Sequence, residues 1–464
     1  MILAERDVLA IFVATAVAVL SGIILFDPAS LISVIALPAV CGVLVLTWGV
    51  FRGNRVAVLL LLFIAIFMLQ AVFRVRDYQD KDIDFQVLLK IVIWIAVVGV
   101  AFSHVTRWLS HVLVAGNIPW ILFVLWLFAT AVVSPSPSPA YSAVSAFTVF
   151  ACVVFSAYLF SSFDEVEIFA VIVAAITAFC AISIVVYFAI PQFGHYVYWV
   201  NEQRFVSPRL AGIAGSANNM ALIASFSVVV TGLYAREFHR RNVFFAPVAG
   251  LISLTALVMT ISRGPLVAAM AILFIVYMLH WKRLYATFAA ISVGLLGLAA
   301  IILKGEAFLM KAVSRSGDVG EITSFTGRTE IWKAVLKLSA EEPWTGYGYA
   351  SSVFVLPRHV SQVGFITSHA HNMILQLLFT TGIIGVVLFL LSMTSVIVRS
   401  AIDRDRTRFA MLLFVIFNGI TESSGFTTLA NICSFAFAIA VTLPPLERNR
   451  IEYENDLAYQ RGFS

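Results

Sequence analysis

The short run Ser368-His-Ala-His371-Asn372 carries the densest potential chemistry in the chain. A histidine beside a helix start can take or give a proton near neutral pH. Ser368 or Asn372 offers an oxygen to cap that helix, and the helix start attracts an anion. Either histidine could fill that role, and His369, His371 and Asn372 together are candidate site residues. The competing reading is two interfacial histidines that help to start an apolar helix. Three arginines come next: Arg209 in Ser207-Pro-Arg-Leu-Ala-Gly, Arg263 in Ser262-Arg-Gly-Pro265, and Arg328 in Thr326-Gly-Arg-Thr-Glu. A guanidinium fork matches a phosphate with two parallel hydrogen bonds, and arginine at a lipid boundary is costly unless it has a task. The bland alternative is snorkelling to lipid headgroups. Glu422, in Thr421-Glu-Ser-Ser-Gly425, is an acid that can orient a histidine, hold a sugar hydroxyl or cap a helix end.

Other chemistries lack their signatures. The chain has no phosphate-binding Gly-rich loop of the nucleotide-dependent kind and no dinucleotide fingerprint. Asp80-Lys-Asp82-Ile-Asp84 resembles a metal-binding acidic pair but reads more simply as a solvated turn. The cysteines Cys41, Cys152, Cys180 and Cys433 each sit in an apolar run, with no paired spacing for zinc or a disulfide framework. Neither a metal nor another cofactor is expected. No long basic run interleaves with aromatics, so nucleic acid is not an expected partner.

These residues must be positioned by membrane-spanning elements. The 464 residues are 61% hydrophobic and only 12% charged, too few charges to clothe a soluble protein of this length. The mean hydropathy is +0.98. The apolar residues fall in runs of bilayer length, and a backbone in lipid must satisfy its own polar groups, so the runs are helices. Spans are expected near 8–26, 31–50, 56–73, 86–103, 119–133, 140–162, 166–190, 211–234, 243–261, 265–280, 284–303, 372–398, 408–421 and 427–444. The first is long for a signal peptide and reads as a retained helix. The fold class is therefore an all-α polytopic bundle of about twelve to fourteen spans.

Positive residues give an orientation. With the N-terminus in the cytoplasm, Arg52, Arg55, Arg107, Arg236, Arg240, Arg241, Lys282, Arg283, Arg399, Arg404, Arg406, Arg408, Arg448 and Arg450 all lie inside. The candidate site residues then lie outside. The chain divides into 1–303, spans with short loops; 304–371, a large outer loop; and 372–464, the last spans and a cytoplasmic tail. Within the loop, Ile331, Val335 and Leu338 recur with helical period, opposite Glu330, Lys333 and Lys337. This amphipathic helix suits a membrane surface or the mouth of a cavity. Trp344, Tyr347 and Tyr349, spaced by Gly346 and Gly348, offer flat faces for sugar rings or an interfacial aromatic belt. Ser134-Pro-Ser-Pro-Ser-Pro139 is a stiff extended turn with no assigned role.

Several motifs now line up in order: Arg209-Leu-Ala-Gly with Asn218-Asn219, Ser262-Arg263-Gly264, Gly327-Arg328…Trp332, Pro343-x-x-Gly346-Tyr-Gly348, and His371-Asn372…Gly382-Ile-Ile-Gly385. Together they resemble the bacterial O-antigen ligase and polysaccharide polymerase superfamily over roughly residues 200–390. The resemblance implies a metal-independent, inverting membrane glycosyltransferase of GT-C-like fold in the bacterial inner membrane, with its loop in the periplasm. Its donor would be an oligosaccharide on undecaprenyl diphosphate, its acceptor a sugar hydroxyl, and its neighbours membrane lipids and other polysaccharide-assembly proteins. It also implies that His371 is the base and that Arg209 and Arg263 contact the diphosphate. A polymerase is the favoured form, because Ser368–Asn372 resembles the exopolysaccharide branch. A ligase acting on lipid A–core is the alternative, and a polysaccharide flippase the third. The transporter reading lacks an internal repeat, and the charges sit at helix ends rather than at mid-membrane.

Overall fold

The computed structural model describes residues 49, 54–72, 85–196, 199–200, 203–204, 208–280, 328–359, 367–423 and 425–444. The expected spans 8–26 and 284–303, nearly all of 31–50, the acidic turn Asp80–Asp84 and residues 304–327 of the long loop lie outside these.

The described chain is almost wholly helical, an all-α polytopic membrane protein. Its helices are α1 (Arg55–Gln70), α2 (Phe85–Ser103), α3 (Val105–Val112), α4 (Ile118–Val133), α5 (Pro139–Ser162), α6 (Glu165–Ala189), α7 (Ala217–Leu233), α8 (Ala235–Arg241), α9 (Phe245–Met259), α10 (Arg263–His280), α11 (Arg328–Ser339), α12 (Met373–Asp403), α13 (Arg406–Thr421) and α14 (Ile432–Thr442). Every span expected within the described residues falls on one of them. Three are individually long and apolar enough to cross a bilayer: α5, α6 and α12. The bent pair α7–α8, turned by 75°, makes a fourth, and shorter apolar helices fill the bundle. Of the regular structure that hydropathy did not signal, α3 and α8 are short polar helices, and two two-residue antiparallel ladders lie between α6 and α7. In one, β1 (His195–Tyr196) pairs with β4 (Arg209–Leu210); in the other, β2 (Trp199–Val200) pairs with β3 (Gln203–Arg204).

Helix starts are set by local side chains. Asn54, Ser216, Asn372, Asp405 and Asn431 each accept a backbone N–H of the helix they begin. The helices are apolar on nearly all faces, so both the core and the rim are hydrophobic. Phe123 of α4, Phe389 of α12, Phe437 of α14 and Phe426 of the loop before α14 pack ring against ring. Val132, Phe188, Leu251 and Val267 face outward, as lipid-facing positions do.

Polar groups collect at the two ends. At one end, Arg408, with no exposed side-chain surface, pairs with Asp403, while Tyr234 bonds Glu165 and Thr407. Arg55–Glu167, Arg241–Asp164 and Arg406–Glu237 pairs ring the same end. The other end holds the beginnings of α7, α10 and α12 and the ends of α9 and α13, and the candidate site lies there.

One break organises that end. Helix α12 kinks at Gly382, whose φ is +67°. The kink frees backbone groups of the helix, and the loop after Pro343 takes them up. Tyr347 N donates to Phe379 O at 2.9 Å, and Ile383 N donates to Pro343 O at 2.8 Å. The two backbones meet so closely that a Cβ on Gly382 would lie 2.1 Å from Trp344 O, and one on Gly346 2.7 Å from Phe379 O. The two tyrosines of this loop therefore serve packing. Tyr349 is fully buried, Tyr347 stacks on Phe379 with ring centres 5.0 Å apart, and Trp344 points to the surface at 65% exposure. None of the three lines the candidate cavity. The Ser134–Pro139 turn gains a role as a strut, because Ser134 Oγ donates to Thr345 O at 2.9 Å.

Candidate functional site

A cavity of about 580 Å³ opens where the starts of α7, α11 and α12 meet the end of α13. This size suits a small ligand or a few sugar units. Arg209, Asn218, Arg328, His369, His371 and Glu422 supply its chemistry.

Helix α11 forms one wall. The expected apolar face is realised: Ile331, Ala334, Val335 and Leu338 bury against Val355, Leu356, Ala370 and Phe379. Trp332 Nε1 donates to Ala370 O at 3.0 Å, tying the helix to the histidine segment. Arg328, the first residue of α11, thereby reaches the cavity. Its guanidinium donates to Thr421 O and, at 3.0 Å, to Glu422 Oε1.

The histidine segment is held by backbone contacts. Ala370 N donates to Gln376 Oε1 at 2.9 Å, and Thr367 Oγ1 donates to His369 O at 3.0 Å. Between these, His371 adopts φ +51°, a conformation that costs a non-glycine residue about 1–3 kcal/mol. Such strain concentrates where a side chain must be aimed. The next residue, Asn372, caps α12 by accepting from Leu375 N at 3.0 Å, and donates to Ile420 O at 3.2 Å. It does not line the cavity; its work is to start the helix that presents His371.

Glu422 is the hub. It is 8% exposed at the end of α13. Oε1 accepts from Arg328 and, at 2.9 Å, from Asn218 Nδ2, while Oε2 lies 3.2 Å from His371 Nδ1. Burial pushes its carboxyl up, but the His371 hydrogen bond and the His371 and Arg328 charges outweigh that and hold it below the usual carboxylate range. His369 lies with its ring centre 4.1 Å from that of His371 and shares a hydrogen bond with Ser368 Oγ at 2.9 Å. Burial, then the neighbouring His371 and Arg328, pull its imidazole down to about 3, so it is neutral at physiological pH.

Arg209 is 7% exposed and deeply seated. Its Nε donates to Thr260 O at 2.7 Å, and Nη2 donates to Ser262 Oγ and, at 2.9 Å, to Asn218 Oδ1. Arg263, by contrast, is exposed at the start of α10 and is not among the cavity-lining residues. The residue of the Ser-Arg-Gly motif that joins the site is its serine, Ser262, which follows the left-handed Ile261. Asn218 and Ser262 stand inside the sequence motifs, yet nothing in their spacing marks a role for either. Ser423, Thr427, Thr428 and Asn431 also line the cavity. Ser423 falls between the last two expected spans, whereas Thr427, Thr428 and Asn431 fall inside the expected span 427–444, whose helix starts only at Ile432.

His369, His371 and Glu422 could offer a cation three ligand atoms, all within 4.8 Å of one another. Ligands on a closed zinc site stand about 3.3 Å apart, from bonds of about 2.0–2.1 Å, so this group would have to contract. The Arg328 guanidinium already holds the cationic position on Glu422.

Residues 248–390 match the family model described as O-antigen ligase. Over this stretch the chain is similar to the O-antigen ligase family. The stretch contains Arg263, Arg328, His369, His371 and Asn372, whereas Arg209, Asn218 and Glu422 lie outside it. The chain is also 32% identical, over 187 residues, to an O-antigen ligase of Pseudomonas aeruginosa. That similarity covers 39% of this chain and 41% of the relative, so less than half of either protein is compared.

Proposed function

We propose that this protein is a glycosyltransferase that polymerises lipid-linked polysaccharide repeat units. It moves a glycan from undecaprenyl diphosphate to a sugar hydroxyl on the periplasmic face of the bacterial inner membrane. The carrying observation is the pairing of His371 with Glu422 beside two arginines in one polar cavity at a helix-bundle end.

In this reading Glu422 holds the His371 proton on Nδ1, leaving the Nε2 lone pair for the acceptor. As the acceptor oxygen attacks the anomeric carbon, its proton passes to Nε2. The bond to the diphosphate breaks on the opposite face, which inverts the sugar centre. The departing diphosphate carries the negative charge, and Arg328 and Arg209 stabilise it where a metal ion would otherwise act. Hydroxyls and amides of Ser216, Asn219, Ser423, Thr427 and Asn431 suit sugar hydroxyls. The basic residues gathered at the opposite end of the bundle support a cytoplasmic location for that end.

Transfer to lipid A–core, the ligase reaction, is the second reading, and the name of the Pseudomonas aeruginosa relative favours it. Reconstitution in nanodiscs with a lipid-linked oligosaccharide, with and without lipid A–core, separates the two. Lengthened lipid-linked glycans support polymerisation. Glycan on lipid A alone supports ligation, and no transfer in either case overturns the enzyme reading.

A further inference from the structure

Asn218 stands between two groups that serve different halves of the proposed reaction. Its side-chain oxygen accepts from Arg209 Nη2 at 2.9 Å, and its amide nitrogen donates to Glu422 Oε1 at 2.9 Å. Arginine can only donate and a carboxylate can only accept. The amide therefore has one permitted orientation, because the opposite one would set its NH2 against the guanidinium and its oxygen against the carboxylate. Glu422 receives that amide proton on Oε1 and turns Oε2 toward His371 Nδ1 at 3.2 Å. A single chain of hydrogen bonds thus runs Arg209–Asn218–Glu422–His371. Its first member is anchored independently on Thr260 O at 2.7 Å.

We propose that Asn218 is a positioning residue that links the diphosphate side of the cavity to the acceptor side, so that the seating of Arg209 fixes the orientation and tautomer of His371. The inference rests on the reading of His371 as the base. The charged and titratable groups around His371 are Glu422, which it bonds, His369 beside its ring and Arg328 on Glu422, with Arg209 beyond Asn218 in the chain of bonds. Asn218 is the one neutral member that must both accept and donate for the order to hold.

The discriminating variant is Asn218→Asp, in the full chain in nanodiscs. Aspartate still accepts from Arg209 but cannot donate to Glu422, and it sets a second negative charge beside it. The expected result is that the acid limb of kcat moves to higher pH by roughly one unit. The donor KM should change less than threefold. A rise in donor KM with an unmoved acid limb would mean that Asn218 only touches substrate, and would overturn the inference. A second readout needs no turnover. In protein labelled with 15N-histidine, the His371 signal is assigned by its loss in His371→Gln. It should report the proton on Nδ1 in the parent protein, and a larger doubly protonated fraction at the same pH in Asn218→Asp. A parent protein with the proton on Nε2 would overturn the link even if transfer proceeds. Absence of transfer would instead sink the enzymatic reading and leave this spectrum to decide the link.

Discussion

Replacing Glu422 by glutamine removes one charge and almost no volume, and the site geometry dictates the consequence. Glu422 receives three hydrogen bonds: two on Oε1, from Arg328 and Asn218, and one on Oε2, from His371. Glutamine has one oxygen to offer. If its NH2 faced Arg328 and Asn218, two half-buried donors would lose their acceptor, at up to about 1–3 kcal/mol each. If its NH2 faces His371, only one contact is reversed. The second orientation is favoured by a few kcal/mol. It obliges His371 to accept on Nδ1 and carry its proton on Nε2, the wrong end for a base. Glu422→Gln should therefore fold, bind donor with a KM within about threefold, and lose about 10²–10⁴ in kcat, the usual worth of a positioned general base. The assay is single-substrate transfer on a lipid-linked oligosaccharide, read by chromatography across pH 5–9, with thermal unfolding in detergent as the folding control. A folded variant with kcat within tenfold of the parent would refute the tautomer assignment.

Three further outcomes stem from the same contacts. Arg209→Lys replaces a fork seated on Thr260, Ser262 and Asn218 by a point charge, so transfer should fall by about 10–100-fold in kcat/KM, checked by donor titration. Gly382→Ala places a Cβ 2.1 Å from Trp344 O at a positive φ and should cost at least about 3 kcal/mol in unfolding. Gly250→Ala is its control: there the nearest atom outside the helix is 3.7 Å away, and the change should be neutral or slightly stabilising by about 1 kcal/mol or less. His369 takes a proton near 6.5 when unfolded and only near 3 when folded, so the unfolded chain binds more protons between those values. Its contribution is complete above 6.5 and is lost as pH falls, by at most about 2 kcal/mol between pH 7 and pH 5. Unfolding curves of the parent and of His369→Gln should converge across that interval.

The helices were legible because lipid imposes one rule on every span: a run of apolar residues of bilayer length with no unsatisfied backbone. The amphipathic α11 was legible from period, and the cap at Asn372 from residue type. What local patterns could not carry was the pairing of distant ends. Asn218 and Glu422 are 204 positions apart, and Arg328 and Glu422 are 94, so no spacing announces that they meet. The Ser-Arg-Gly motif drew attention to its arginine, yet the helix start exposes Arg263 and turns Ser262 inward to Arg209. The Gly-Tyr-Gly loop read as a sugar platform or aromatic belt because its aromatics are flat. Its glycines instead let the loop backbone enter the kink at Gly382, a partner that lies in another helix.

The central claim is that His371 takes the acceptor proton in transfer from a lipid diphosphate. It is tested most directly by incubating the parent protein and His371→Gln with the same lipid-linked oligosaccharide in nanodiscs and resolving the products by size. The parent is expected to give lengthened or transferred glycan. With a folded His371→Gln that still binds the donor, product formation should fall by about 10²-fold or more. Undiminished transfer by His371→Gln would contradict the claim.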